Sequence, residues 1–190
     1  MSDTPIDVFI DLPSFPGPVQ AGRLWSHFRK GRESASFEYN KQWLANPHRF
    51  ALEPLLPLAD GTFHTNPGQS VFGAIGDSTP DRWGRILMRR AELARARTAN
   101  ESPHTLSELD YLLRVNDEAR QGALRFSQDG GQSFCAPRGL TPIPPLVNLS
   151  RLLHAADHFC RDDENAEDLR LLLAPGSSLG GARPKASVKD

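Results

Sequence analysis

Near the start of the chain, apolar residues recur at every second position. Ile6, Val8, Ile10 and Leu12 fall at every second position, with Asp7 and Asp11 as polar neighbours, the pattern of a strand with one buried face. Pro13, Pro16 and Pro18 break it. Val19 and Ala21 begin a second strand, and Leu24, Trp25 and Phe28 add apolar mass. Lys30-Gly31-Arg32-Glu33 is a polar turn, after which Ala35, Phe37 and Tyr39 alternate as a third strand. The pattern predicts a hairpin-rich antiparallel start, with Tyr39 and Trp43 in core or rim packing. Residues 46–76 are rich in Pro and Gly and read as an irregular connection.

From residue 79 the period changes to that of a helix. Thr79 suits the N-cap, Pro80 the first helical position and Asp81 the first turn. Trp83, Ile86, Leu87, Ala91 and Ala94 then form one apolar stripe. Thr105 with Glu108 three residues on matches a capping box and opens a helix with Leu106, Leu109 and Leu113 facing inward. Residues 122–127 read as a strand followed by the turn Asp129-Gly130-Gly131. Leu149, Leu152, Leu153, Ala156, Phe159 and Cys160 fall on one face of a further helix. Asn165 caps a last one carrying Leu169, Leu172 and Leu173, which Pro175-Gly176 ends. Residues 186–189 look like the start of a strand.

Residues 137–145 contain four prolines, which sets the expected boundaries: an N-terminal subdomain over 1–136, a Pro-rich linker over 137–147, and a second piece over 148–190. Net charge is −1, so no overall polycation implies nucleic acid. Cys135 and Cys160 are the two cysteines and form no Cys-x-x-Cys pair, which argues against a disulfide scaffold or zinc ribbon. His154 and His158 are four apart, but the residue after the first is Ala155 where a zincin has Glu. They read as exposed polar residues, and no metal ligands are assigned. No basic segment followed by an apolar run opens the chain, and no stretch approaches the length of a membrane span. The expected place is the cytoplasm, with no membrane partner.

Two stretches carry candidate chemistry. From Asp81 to Arg97 there are six arginines against one Asp and one Glu. Arg82, Arg85 and Arg89 share a face, which reads either as a solvated helix face or as a docking surface for an acidic partner or nucleic acid. The second stretch is Gly176-Ser177-Ser178-Leu179-Gly180-Gly181-Ala182-Arg183-Pro184-Lys185. Glycines let a backbone turn its N–H groups toward an anion, and a lysine adds a point charge for a phosphate. The alternative is a flexible turn between a helix and a strand. Gly176 and Gly181 have the glycine spacing of a P-loop, but Ala182-Arg183 follows, so its lysine and magnesium hydroxyl are missing. The kinase pattern Gly-x-Gly-x-x-Gly is absent.

The loop does resemble that of the HipA family of serine/threonine kinase toxins, in which a serine precedes a small Gly/Ala-rich turn and a lysine. Phe37-Glu38-Tyr39 running into Trp43-Leu44-Ala45-Asn46-Pro47 is similar to the family's N-terminal signature. So are the run from Gly76 to Arg85 and Gly122-Ala123-Leu124-Arg125-Phe126. Their order is also that of the family. The resemblance implies an α+β fold, an antiparallel barrel-like N-terminal subdomain with helices followed by the start of a kinase N-lobe. It implies that Ser178, or the adjacent Ser177, is autophosphorylated, and that Gly180, Gly181, Ala182, Arg183, Pro184 and Lys185 hold the ATP phosphates. The full kinase would use ATP and Mg2+, neither expected tightly bound to this chain. Its partners would be a helix-turn-helix antitoxin, operator DNA through that antitoxin, and a translation-related substrate such as an aminoacyl-tRNA synthetase. No His-Arg-Asp or Asp-Phe-Gly occurs, and in the family the catalytic half lies downstream of the loop. The expectation is therefore the N-terminal part of such a kinase, inactive alone. A rival reading is a non-catalytic, antitoxin-like binding module of a split system, which would not need the loop.

Overall fold

A computed structural model describes residues 5–135, 148–176, 181, 183–186 and 188. The Pro-rich segment 137–147 lies outside them. The described chain divides into two units. Unit 1 comprises Met1–Ser78 and Gly122–Cys135; unit 2 comprises Thr79–Gln121 and Ala136–Asp190.

Unit 1 is built on five antiparallel strands: β1 (Ile6–Ile10), β2 (Val19–Arg29), β3 (Arg32–Tyr39), β4 (Thr62–His64) and β5 (Leu124–Ser127). They lie in the order β4-β3-β2-β1-β5. β1 is therefore an interior strand, paired with both β2 and β5. This overturns the expected half-buried alternation, since all five β1 residues are buried. Asp7 lies among them, and its carboxylate accepts from Gln20 Nε2 at 2.6 Å and Arg23 Nε at 2.8 Å. A buried carboxylate without such donors would be costly. The sheet is open, with β4 and β5 as its two edges, so the expected barrel-like closure is not formed by the described strands. Two short helices, α1 (Lys41–Ala45) and α2 (Gly73–Gly76), flank the connection that also holds β4. Residues 46–76 thus contain more regular structure than Pro and Gly content suggests. Leu56, Phe72 and Ile75 within this connection are buried, while Phe50, Leu55 and Leu58 are exposed, and Tyr39 ties it down by donating to the Leu56 carbonyl at 2.7 Å and accepting from Leu52 N–H at 3.0 Å. Trp43 and Tyr39 are buried, as their apolar bulk requires.

Unit 2 is helical: α3 (Arg82–Ala99), α4 (Glu108–Arg114), α5 (Leu149–Cys160) and α6 (Ala166–Gly176), with a 3-10 turn at Asp117–Ala119. Trp83, Leu87, Leu152, Ala155, Phe159, Leu169 and Leu172 make its core. Met88, Tyr111 and Val115 form a second cluster. Three boundaries differ from the sequence reading. α3 is capped by Asp81, not Thr79: the Asp81 carbonyl takes the first helical bond, from Arg85 N–H at 3.0 Å, while its side chain takes Arg82 N–H. α4 is capped by Ser107, not Thr105. Ser107 Oγ accepts from Asp110 N–H at 3.1 Å and Ser107 N–H donates to Asp110 Oδ2 at 2.8 Å, leaving Glu108 for another use. Tyr111 and Leu112 are the buried α4 residues, not Leu106, Leu109 and Leu113. Pro175 lies inside α6 instead of ending it. Leu149 and Leu153 on α5 are exposed, so the buried stripe is Leu152, Ala155 and Phe159. Asn165 does cap α6, accepting from the N–H groups of Glu167 and Asp168. No described helix is long and apolar enough to cross a membrane.

Candidate functional site

The described part of the glycine-rich segment lies in unit 2, against the first turn of α3. Trp83 is the organising side chain. It is 1% exposed, packs edge-to-face on Phe159 at 4.9 Å between centroids, and donates its indole N–H to the Lys185 carbonyl at 3.0 Å. A buried indole needs such a partner, and here the segment supplies it. Trp83 N–H also donates to the Gly181 carbonyl at 2.9 Å. Gly181 N–H in turn donates to Asp81 Oδ2 at 2.5 Å. Two backbone positions of the segment, 181 and 185, are thus pinned by α3 residues two apart.

Two glycines are demanded by this geometry. A Cβ on Gly176 would stand 2.9 Å from both the Lys185 carbonyl and Trp83 Nε1, closer than side chains tolerate. Gly181 has φ +90, and a Cβ there would meet Lys185 Nζ at 2.8 Å. The lysine ammonium therefore lies beside the Gly181 backbone. Ala186 and Val188 pack against the unit 2 core, and the described residues among 183–188 are not in a strand. Arg183 and Pro184 are exposed.

Asp81 is the anion of this place. The Gly181 N–H holds its carboxyl below the usual range, helped by the Arg82 N–H and by the charges of Lys185 and Arg85. Chemically, the arrangement offers a backbone N–H and an ammonium to a negative group, and a carboxylate of the chain itself occupies that N–H.

Of the residues expected to hold phosphate, the structure brings Gly181 and Lys185 together. Ser177, Ser178, Gly180 and Ala182 lie outside the described residues. The arginines of α3 separate. Arg85 donates to Glu108 through both terminal nitrogens, at 2.6 and 2.7 Å, and its Nε donates to the Pro80 carbonyl at 2.9 Å. Its guanidinium lies 4.7 Å from the centre of the Tyr111 ring. The Glu108 contact raises its already high pKa. Arg82 and Arg89 are exposed and, among the described residues, form no ion pair. His158 Nδ1 lies 2.9 Å from Asp168 Oδ2, which raises the imidazole pKa; His154 is exposed. Among the described residues no three His, Cys, Asp or Glu cluster as metal ligands.

The sequence reading missed Asp81 and Trp83 as the residues that seat the segment. One signal was available: a tryptophan on the buried stripe of an amphipathic helix must find an acceptor for its N–H. What accepts it lies 102 positions away.

A family model described as HipA N-terminal domain matches residues 17–127. This is more than half of the chain. It spans β2 to β5 together with α3 and α4, and it contains three of the four motifs that carry the resemblance. The glycine-rich segment lies beyond its end. No curated protein matches the chain.

Proposed function

The chain belongs to the HipA family, and from that premise we propose that it is the N-terminal region of a HipA-like serine/threonine kinase toxin of a type II toxin–antitoxin system. In this reading residues 1–136, which include unit 1 with α3 and α4, are the N-terminal subdomain, and the residues after the Pro-rich segment begin a kinase N-lobe. Residues 176–185 are then the ATP-phosphate loop, with Ser178 or Ser177 as its autophosphorylation site. The observation that carries the reading is the Lys185 ammonium beside the positive-φ backbone of Gly181, the pairing of amide and cation that phosphate recognition uses.

The described residues would bind ATP through Gly181 N–H and Lys185, with Mg2+ supplied alongside the nucleotide. Gly181 N–H has one hydrogen, so a phosphate that takes it must displace Asp81. Phosphorylation at Ser178 would add a charge of about −1.5 to −2 beside the same groups, repelling ATP and competing for Lys185 and Arg183. Arg82 and Arg89 are the exposed members of a docking face for the helix-turn-helix antitoxin or its DNA complex, while Arg85 is engaged by Glu108.

The test uses the protein extended through its catalytic half, incubated with ATP and magnesium and mapped by mass spectrometry. The expected result is phosphate on Ser178 or Ser177, abolished in a Ser177→Ala/Ser178→Ala double variant that still binds ATP. The 190-residue chain alone should bind ATP more weakly than about 1 mM and transfer no phosphate. An active kinase with neither serine modified would remove the switch from this loop.

A further inference from the structure

β2 is eleven residues long and outruns its neighbours. β1 pairs with it only between Val19 and Leu24, and β4 reaches β3 only between Ser36 and Glu38. His27 to Ser34 therefore continue past the sheet as a two-stranded ribbon, paired with itself alone among the described strands, whereas Trp25 and Ser26 still face Ser36 and Ala35, which β4 and Thr65 engage. At the usual rise, the three positions from His27 to Arg29 extend it about 10 Å. Lys30 and Gly31 at the tip have φ of 49 and 74, the positive values that a type I′ turn requires at both central residues. That turn matches the twist of the strands and keeps the ribbon narrow and stiff.

The charge at this tip is organised unlike the rest of unit 1. Unit 1 has seven Lys and Arg, and three of them, Arg29, Lys30 and Arg32, fall within four positions. Arg29 and Arg32 are direct cross-strand partners, and like charges placed opposite weaken a hairpin. All three are exposed. No carboxylate among the described residues forms an ion pair with any of them, whereas Arg23 is paired with Asp7 and Arg125 with Asp11. Glu33, the nearest acid in sequence, accepts from Ser26 Oγ at 3.3 Å. Phe28, 52% exposed, adds an uncovered apolar ring beside the cations. A fold that keeps three cations together against their own repulsion, at the end of a stiff projection, has the shape and charge of a probe for a polyanion.

We propose that this ribbon is a docking surface for B-form duplex DNA, independent of the nucleotide chemistry assigned to unit 2. The major groove, about 12 Å wide, admits a two-stranded β-ribbon. Arg29, Lys30 and Arg32 contact backbone phosphates, and Phe28 meets the apolar surface of a sugar or thymine methyl. An A-form RNA duplex has a major groove too narrow and deep for the ribbon. Contact with three phosphates relieves the Arg29–Arg32 repulsion and releases counterions, so affinity falls with salt with a log–log slope of about −2.7.

The experiment is fluorescence anisotropy of a labelled mixed-sequence DNA duplex of about 20 base pairs, titrated with the 190-residue chain at several salt concentrations. The expected dissociation constant lies in the sequence-independent range of about 1–100 μM. The variant R29S/K30S/R32S should bind at least tenfold more weakly with a slope near zero, and Lys30→Ser alone should reduce the slope by about one. Lys41→Ser, which removes an exposed cation elsewhere in unit 1, should leave the slope unchanged. Undiminished binding by the triple variant overturns the proposal, as does a Lys41→Ser effect equal to that of Lys30→Ser. Equal competition by polyglutamate or by an RNA duplex also overturns it, assigning the tip to acidic protein or to RNA.

Discussion

The two units satisfy their polar groups by different means. In unit 1 the backbone does most of the work: strands pair across a sheet, and the core between them is aromatic, with Phe37 edge-on to Tyr39 at 5.0 Å and Trp43 edge-on to Phe50 at 5.4 Å. In unit 2 the helices satisfy their own backbones, so what joins helix to helix is side chains. Apolar stripes supply the bulk, and charged groups bridge the gaps. Glu92, 3% exposed, accepts from Arg95 on its own helix, from Arg114 of α4 and from the His104 N–H. Arg90 lies over the Phe159 ring at 4.0 Å while its two terminal nitrogens reach Asp162 and Glu164. Arg120, fully buried at its side chain, donates to the carbonyls of Leu112 and Val115. The teaching is that the arginine-rich composition of α3 largely builds a helical unit and only in part exposes a charged surface.

The largest effects should come from the aromatic residue at the heart of each unit. Trp83→Ala and Phe37→Ala should each cost about 3–5 kcal/mol in urea unfolding. They should part in what else they disturb, because only Trp83 holds a carbonyl of the glycine-rich segment. Backbone NMR signals of Gly181 and Lys185 should shift in the Trp83 variant and stay in place in the Phe37 variant. Equal disturbance by both would erase the distinction between the units.

Next in size is the charge network around Glu92 in unit 2. Glu92→Gln should cost about 2 kcal/mol at pH 7, since it removes the ion shared by two arginines. Arg95 above all, then the His104 N–H and Arg114, lower the Glu92 pKa from 4.5 to about 2. Its folded pKa lies below the unfolded one, so its stabilisation is complete above pH 4.5 and is lost as pH falls from there through 2. Denaturation series of wild type and variant should therefore converge across that window. A constant gap down to pH 2 would show that packing, not charge, makes the difference.

The smallest effects separate arginines that look alike in sequence. Arg85→Ser should cost about 1–2 kcal/mol by removing the two hydrogen bonds to the Glu108 carboxylate and the one to the Pro80 carbonyl. Arg82→Ser and Arg89→Ser should each stay within about 0.5 kcal/mol. A thermal-melt comparison that ranks the three equally would mean that the Arg85–Glu108 contact contributes nothing measurable.

Much of this was legible in the chain. The strands around Ile6–Ile10, Val19–Arg29 and Arg32–Tyr39 announce themselves by alternation, and α3, α5 and α6 by helical period. Cap identity was less so: Thr79 and Asp81, or Thr105 and Ser107, are chemically equivalent candidates two residues apart. Only the carbonyl that takes the first helical bond distinguishes them. β4 is three residues long, too short for any periodic signal, and is defined by its pairing with Ser36, Phe37 and Glu38 of β3. For the candidate site, glycine content pointed to residues 176–185, but the necessity of Gly176 comes from an indole that approaches it from the other end of the unit.

The sequence by itself determined the family, the mixture of strands and helices, and which residues have the chemistry to meet an anion. Those properties reside in residue type and local spacing, which the chain carries with it before folding. Tertiary structure alone decided that β1 is interior and carries a buried Asp7, that Arg85 is bound to Glu108 while Arg82 and Arg89 face solvent, and that Asp81 takes the amide of a glycine 100 positions away. Each of these depends on which distant group arrives within hydrogen-bonding distance, and that is fixed only when the chain of each unit packs on itself.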